Sequence, residues 1–208
     1  MTGNLTAPPR PRDVPSDKVE QSLRLLSEAS AALTTSLDLS TTIDHVAHVI
    51  VPALADWCVV DLVEGEFRGI QTVVRRAAAV HADPERQRLV DELSRRYPPC
   101  GDRPTLSGPV IETGRSVLVA ELKDEMLDAM ARDTEQADLV RRIGLRSYMV
   151  APLLARDRLL GIVAFLASHR RCDADDLLLA EELARRIGMA VDNARLFDQP
   201  ALECHQVQ

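Results

Sequence analysis

Two strongly apolar segments joined by a charged turn, and the long helix that follows them, restrict the folds open to this chain more than any other feature. The segments are LRSYMVAPLLA at 145–155 and LLGIVAFLAS at 159–168, and RDR at 156–158 separates them. Apolar segments bounded by polar turn residues are typical of a β-hairpin. A helix that Asp173 can cap then runs without proline to Phe197. We therefore expect an antiparallel sheet with helices on both of its faces.

The first part of the chain predicts two helices, the first of which begins near Ser16 or Asp17. Its apolar residues follow the 4-3 spacing of a coiled-coil seam, and they are Val19, Leu23, Leu26, Leu33 and Leu37, with Ser30 in the one polar position. The same spacing suits a helix that packs on its own domain, and both interpretations stay open. A second helix, with Ser40 as its expected cap, ends before Pro52 because proline interrupts helical hydrogen bonding.

Short strands and helices alternate through the middle of the chain. Strands are predicted at 57–63 and within 70–81, where the alternation fails at Arg75 and Arg76 and indicates either a β-bulge or a longer hairpin. The elements expected further on are a helix at 84–96, a helix at 109–113 closed by Gly114, a strand at 116–120 and a helical segment at 124–143. The proline-rich start, 1–15, and the end, 198–208, are expected to be disordered.

Composition and charge exclude several classes of protein. Hydrophobic residues make up 46% of the chain and aromatic residues only 3%, so the core must consist mainly of Leu, Val, Ile and Ala. A net charge of −7 argues against nucleic acid as a partner. The longest apolar run, at 159–167, is shorter than a membrane-spanning helix, and the start of the chain does not resemble a signal peptide. We therefore expect a cytoplasmic protein without a membrane partner.

Seven short motifs spread along the chain resemble those of GAF domains, specifically the kind found in actinobacterial sensor kinases and regulatory phosphatases. The motifs are ADWCVVDLVE (55–64), HADPE (81–85), YPP (97–99), TGR (113–115), DEM (124–126), GLRSYMVAPL (144–153) and DDLLLAEELARRIGMAVDNARLF (175–197). Their order and spacing carry the resemblance. It implies an α+β fold, related to PAS domains, in three α/β/α layers. The central antiparallel sheet would have five or six strands, and the terminal helices would pack together on one face, in a single domain over 16–197.

The resemblance also places a ligand pocket on the other face of the sheet, under the middle helices and loops. The residues implied to line it are His81, Tyr97, Cys100, Met126, Met130 and Tyr148. Asp61 is a further candidate, because it shares a strand face with Trp57 and a carboxylate there needs a partner. It either anchors a ligand or bonds to the backbone or to an arginine such as Arg75. The alternative for the whole set is that these side chains fill the pocket and nothing binds.

No cofactor is indicated, and three that occur in the family are disfavoured. Haem or a metal would need a second ligand beside His81, and the spacing offers none. The cyclic-nucleotide branch carries an Asn-Lys signature, but neither Lys18 nor Lys123 follows an asparagine. Bilin-binding members need a cysteine at the pocket, whereas Cys204 lies in the tail. The identity of any cofactor is therefore left unknown.

The cysteines do not predict a catalytic site. They lie far apart without CxxC or CxxH spacing, so neither a zinc site nor a disulfide framework is expected. One GAF branch reduces free methionine sulfoxide with clustered cysteines, whereas Cys58 here lies in a core strand and Cys172 outside the expected pocket. Cys100, close to Arg103, admits thiol redox sensing as an alternative.

The function expected from the resemblance is non-enzymatic sensing in signal transduction, as in two-component systems. The domain would bind a small molecule and relay its occupancy through the terminal helices of a homodimer. The alternative is a ligand-free dimerisation or scaffold module. In relatives the last helix continues into an output domain, and eleven residues follow Phe197 here. We therefore expect either a kinase or phosphatase partner or a longer sensor of which this sequence is a part.

Overall fold

The computed structural model describes residues 16–34, 38–64, 73–99 and 106–198, and these contain seven helices and five strands. The helices are α1 (Ser16–Ala32), α2 (Leu39–Ile50), α3 (Pro84–Arg96), α4 (Gly108–Thr113), α5 (Asp124–Met130), α6 (Thr134–Ile143) and α7 (Ala174–Asp198). The strands are β1 (Trp57–Glu64), β2 (Val73–His81), β3 (Val117–Val119), β4 (Ser147–Ala155) and β5 (Arg158–Ala167). The expected disordered lead, and the expected tail beyond Asp198, lie outside the described residues.

The five strands form one antiparallel sheet in the order β2-β1-β5-β4-β3. The predicted hairpin is confirmed, since β4 and β5 pair from Ser147 opposite Ala167 to Ala155 opposite Arg158. Its turn residues have positive φ angles, 49° at Arg156 and 60° at Asp157. Two-residue turns of this kind match the twist of the strands that they join. The α+β class and the antiparallel sheet are therefore as expected.

Helices cover both faces of the sheet, which confirms the three layers. Successive side chains of a strand point to opposite faces. In β1 and β5, Val60 and Phe165 pack in the core beneath α1, α2 and α7, while Val59 and Ala164 pack in the core beneath the middle helices. The two central strands are accordingly buried along almost their whole length. No helix of the described segments is long and apolar enough to cross a membrane.

The first and last helices pack together, as expected. Arg186 of α7 donates to the Leu26 carbonyl of α1 at 3.0 Å and to the Ser30 hydroxyl. At the other end of α1, Lys18 Nζ lies 2.9 Å from Asp173 Oδ2. Ser30, the one polar position in the 4-3 pattern, is thus an attachment point for α7 within the same chain.

The predicted seam of α1 is partly wrong, because the helix ends at Ala32. Leu33 lies in the turn that follows, and Leu37 lies outside the described residues. The residues that α1 buries in the domain are Leu25, Ala29 and Ala32. Val19 and Leu23 remain 45% and 63% exposed. The apolar pattern therefore combined two faces, one that packs on the domain and one that faces solvent.

Aspartate caps decide where several helices begin. The cap of α2 is Asp38 rather than Ser40, since its carboxylate accepts the Thr41 backbone N–H at 2.7 Å. The helical segment predicted over 124–143 consists of two helices, because Asp133 accepts the Gln136 N–H at 2.7 Å and starts α6. Short polar side chains at such positions satisfy N–H groups that the first turn leaves unpaired.

The start of α7 is as predicted. Asp173 Oδ1 accepts the Asp176 N–H at 2.9 Å, and Asp176 Oδ2 accepts the Asp173 N–H at 3.0 Å. This reciprocal pair satisfies two backbone donors at once, in the manner of a capping box.

Gly161 allows β5 to lie against β1, and its replacement should destabilise the sheet. A Cβ at this position would lie 2.3 Å from the Asp61 carbonyl oxygen. We expect Gly161→Ala to lower the free energy of unfolding by about 3 kcal/mol or more, as a severe overpacking change. Gly114→Ala is the control, because Gly114 has a φ of +67° but open space around it, and it should cost only about 1 kcal/mol. Urea titrations measure both values, and equal losses would contradict the close approach.

Candidate functional site

A cavity of about 130 Å³ lies between the sheet and the middle helices. Its floor consists of three residues from β1 and three from β5, namely Trp57, Val59, Asp61, Ile162, Ala164 and Leu166. They alternate along each strand and stand opposite one another in register, Val59 against Ala164 at the centre. Alanine contributes only a methyl group there, which leaves space above the middle of the floor. Residues of α3 to α6 and of their connections form the walls, and most of them are apolar.

Asp61 and Arg76 form a salt bridge at the floor of the cavity. Arg76 Nε donates to Asp61 Oδ1 at 2.9 Å and Nη2 donates to Oδ2 at 3.2 Å. Asp61 is only 4% exposed, so its charge requires such a partner. The third nitrogen, Arg76 Nη1, donates to the Ser94 hydroxyl of α3 at 3.2 Å. The pair and its contact with Ser94 therefore connect β1 and β2 to α3.

A β-bulge places Arg76 opposite Asp61. Val60 pairs with Ala78 and Asp61 with Arg76, so Ala77 is the extra residue of β2. The predicted bulge is confirmed, one residue beyond the arginine pair that signalled it. The same shift turns Arg75 away from the cavity. Its Nε lies instead 2.7 Å from Glu64 Oε1. An arginine was among the partners predicted for Asp61, but the residue named as an example, Arg75, is not the one that binds it. The partner is Arg76.

The Trp57 side chain lines the cavity and carries a buried donor. The residue is 4% exposed, and its indole Nε1 is buried without a hydrogen-bond partner among the described residues. The Tyr97 hydroxyl, by contrast, donates to Asp133 Oδ1 at 2.8 Å. Buried tryptophan N–H groups usually find an acceptor. The indole is accordingly the polar group of the floor that still needs one.

The family model of the GAF domain matches residues 38–191. This chain belongs to the GAF family. GAF domains generally act as sensory or regulatory modules in signalling. No curated protein sequence matches the chain.

Solved structures share the fold of this GAF domain at low sequence identity. The GAF domain of a phosphoenolpyruvate-protein phosphotransferase (ptsP) from Coxiella burnetii is 16% identical, with a TM-score of 0.63 over 88% of this chain and 98% of that one. Free methionine-R-sulfoxide reductase from Neisseria meningitidis, in complex with its substrate, is 19% identical, with a TM-score of 0.61 over 88% and 96%. The GAF domain of A. aeolicus nlh2, in an inactive state, is 12% identical, with a TM-score of 0.60 over 85% and 98%.

The residues expected to line the pocket of this GAF domain divide into two groups. Asp61, Tyr97 and Met130 line the cavity. Met126 does not, because it is 38% exposed on α5, and Tyr148 does not, because it stands on β4, beyond the β1 and β5 floor. The Tyr148 hydroxyl instead contacts Met130 Sδ at 3.9 Å. Cys100 lies outside the described residues.

His81 also lies outside the cavity lining, although it pairs with Trp57 in register. Its Nδ1 accepts the Asp83 N–H at 2.9 Å, so the neutral ring carries its proton on Nε2, which is buried without a partner among the described residues. Burial, together with the nearby Arg86, lowers the pKa of His81. The ring is therefore a neutral donor at physiological pH.

The lining residues of this GAF domain that were missed from the sequence include Trp57 and Arg76. Trp57 carried a signal, since it stands four residues before Asp61 on the same strand face. Arg76 carried one too, in the broken alternation of β2, but the face that each arginine takes depends on the position of the extra residue. That position follows from the pairing with β1.

The described cysteines and acids do not offer a catalytic or metal centre. Both Cys58 and Cys172 are buried, and burial raises the pKa of the Cys58 thiol to about 12. A thiol with so high a pKa is not a nucleophile near neutral pH. Among the described residues, no group of three or more His, Cys, Asp or Glu side chains is arranged to hold a metal ion.

Removal of Arg76 should leave a buried carboxylate without its counter-charge. We expect Arg76→Met to lower the free energy of unfolding by about 3 kcal/mol at pH 7, because breaking a buried pair strands the remaining charge. Arg75→Met, which breaks an exposed pair, should cost under about 1 kcal/mol. Urea titrations at pH 7 measure both losses, and equal losses in the two variants would contradict the assignment.

Proposed function

We propose that this GAF domain is a non-enzymatic sensor that binds a small molecule in the cavity and relays its occupancy through α1 and α7 in a homodimer. The observation that carries the proposal is the mainly apolar cavity with the Asp61–Arg76 pair at its floor. Ligand sites typically combine an apolar lining with a few polar groups that orient the ligand. The substrate bound by the Neisseria meningitidis reductase supports the capacity of this fold for small molecules.

The sheet gives the cavity a short route to α7. The strands that form the cavity floor present their other face to the core beneath α7. Gly188 of α7 lies so close to β4 that a Cβ there would stand 2.9 Å from the Leu154 carbonyl oxygen. Arg195, near the end of α7, donates to the Val63 carbonyl of β1 at 2.9 Å. A displacement of β1 by a ligand would therefore be transmitted to the end of α7.

Exposed apolar residues on the terminal helices support the homodimer. Leu178, Met189 and Leu196 are exposed on α7, and their spacing of eleven and seven residues places them on one line along the helix. Val19 and Leu23 are exposed on α1. Burial of such side chains between two copies contributes about 1.5–3 kcal/mol each when complete. The output would then be a kinase or phosphatase domain, or a partner, beside the helices.

A methionine sulfoxide reductase is the enzymatic alternative. The structural similarity to the Neisseria meningitidis reductase supports this alternative only through the shared fold. Against it stand the burial of Cys58 and Cys172 and their absence from the cavity lining. If the purified chain reduces free methionine sulfoxide with a thiol reductant, the reductase function replaces the sensor proposal.

A metabolite that occupies the cavity should stabilise the domain by mass action. At ten times its Kd we expect about 1.4 kcal/mol, or a rise in Tm of about 3–5 °C for a domain of this size. Ala164→Leu should abolish this rise, because it adds three carbons at the centre of the cavity floor. Ala129→Leu, an exposed position on α5, is the matched control and should respond as the unaltered protein does. If a thermal-shift screen finds no stabilising compound at millimolar concentration, a ligand-free dimerisation module replaces the sensor.

Dimerisation through α1 should depend on Leu23. Its exposure of 63% means that a charge there leaves the core of the domain intact. We expect Leu23→Asp to convert the dimer to a monomer in sedimentation velocity, whereas Gln21→Asp, on the other flank of α1, should leave it dimeric. A monomeric unaltered protein, or equal behaviour of the two variants, would refute the homodimer through this helix.

A further inference from the structure

We infer that two copies of this GAF domain associate through the exposed face of α7 in antiparallel orientation, with Leu178 against the partner's Met189 and Glu181 against the partner's Arg185. The inference rests on the proposed homodimer and specifies its geometry. The order of the exposed side chains along α7, and the contacts that they already make, carry it.

Four exposed residues share one face of α7. They are Leu178, Glu181, Arg185 and Met189. At 3.6 residues per turn they lie within about 80° of one another around the helix axis. The opposite side of α7, with Leu183 and Ile187, is buried in the core of the domain. This face is therefore the part of α7 that is open to a second molecule.

The face is complementary to itself when two copies run in opposite directions. Its order along α7 is apolar, acidic, basic, apolar. A two-fold axis brings the same patch of both copies together. With Leu178 opposite the partner's Met189, the same register brings Glu181 to within one residue, about 1.5 Å along the axis, of the partner's Arg185. Each apolar residue then meets an apolar residue, and each charge meets its opposite.

A parallel pair would place identical residues opposite one another. Glu181 would face the partner's Glu181, and Arg185 would face the partner's Arg185. Like charges across a helical interface disfavour such an arrangement, and charge pairs select orientation more than they add affinity. Leu178 and Met189 supply apolar burial in either orientation. The charges therefore favour the antiparallel pair.

Glu181 and Arg185 are available for this contact. Glu181 makes no ion pair with any described residue, although Arg115 lines a groove beside it. Arg185 holds Glu182 through Nε at 2.9 Å and through Nη2 at 2.8 Å. Its Nη1 contacts Met189 Sδ at 3.5 Å, and a thioether sulfur is a weak acceptor. Nη1 can therefore donate to the partner's Glu181 while the contact with Glu182 is kept.

The antiparallel pair separates the two ends of α7. In this register Leu196 lies about 38 Å along the axis from the partner's Leu196, since about 25 residues at 1.5 Å each separate them. Arg195, which contacts β1, goes with each end. Each subunit would therefore present its own end of α7 to an output partner, instead of joining the two ends in one bundle.

Disulfide trapping tests the orientation. The double variant Leu178→Cys/Met189→Cys should form an intermolecular 178–189 disulfide on oxidation, identified by mass spectrometry of the linked peptides. Within one helix the two positions lie about 16 Å apart, too far for an intramolecular bond. A parallel pair would give 178–178 and 189–189 disulfides instead. Both positions are exposed, so the substitutions leave the core intact.

Charge reversal tests the register. Glu181→Arg should raise the Kd of the dimer about 10-fold, or about 1.4 kcal/mol, because it creates two like-charged contacts in each antiparallel dimer. Addition of Arg185→Glu should restore the Kd to within about 2-fold. Glu125→Arg, at an exposed position on α5, is the matched control and should leave the Kd unchanged. Sedimentation over a range of concentrations measures all four proteins.

The outcomes separate this inference from the proposed function. A dimer that traps 178–178 and 189–189 disulfides, or that Glu181→Arg leaves unchanged, overturns the antiparallel interface and leaves the homodimer standing. An unaltered protein that sediments as a monomer overturns the interface and the homodimer together.

Discussion

Burial of the two central strands on both faces is the constraint on which the rest of this structure depends. β1 and β5 lie between two helical layers, so each of their side chains enters one core or the other. The period of two then assigns Val59 to the cavity side and Val60 to the side of the terminal helices. One sheet thereby serves two purposes. It forms the floor of the cavity, and its reverse face supports the helices that would carry a signal.

A charge in such a doubly covered strand is tolerated only because the fold supplies its partner. Asp61 would be unfavourable at the floor of an apolar cavity without Arg76. One extra residue in β2 brings that arginine onto the same face and sends Arg75 to an exposed pair with Glu64. With the ion pair closed on itself, the Trp57 indole is a donor of the floor for which the described residues supply no acceptor. The polarity of the site is thus set by the bulge as much as by composition.

Much of the local structure was predictable because its signals lie close together in the chain. The hairpin of β4 and β5, the span of α3 and the Asp173 cap depend on turn residues and on hydrogen bonds between residues a few positions apart. The predictions that failed concern choices between neighbours, such as Asp38 rather than Ser40 as a cap. The division of the cavity candidates, with Met126 exposed and Met130 inward, likewise depends on how α5 is rotated against the sheet.

Sequence by itself determined the family, the order of the elements and the existence of a buried carboxylate that needs a partner, because pattern, turn chemistry and motif order are local properties. Tertiary structure alone decided which arginine meets Asp61, that Leu25 and Ala29 of α1 are buried while Val19 and Leu23 face solvent, and that no described residue accepts from the Trp57 indole. Each of these depends on strand register or helix rotation. Those quantities are set by the packing of distant segments, and the sequence of one segment does not contain them.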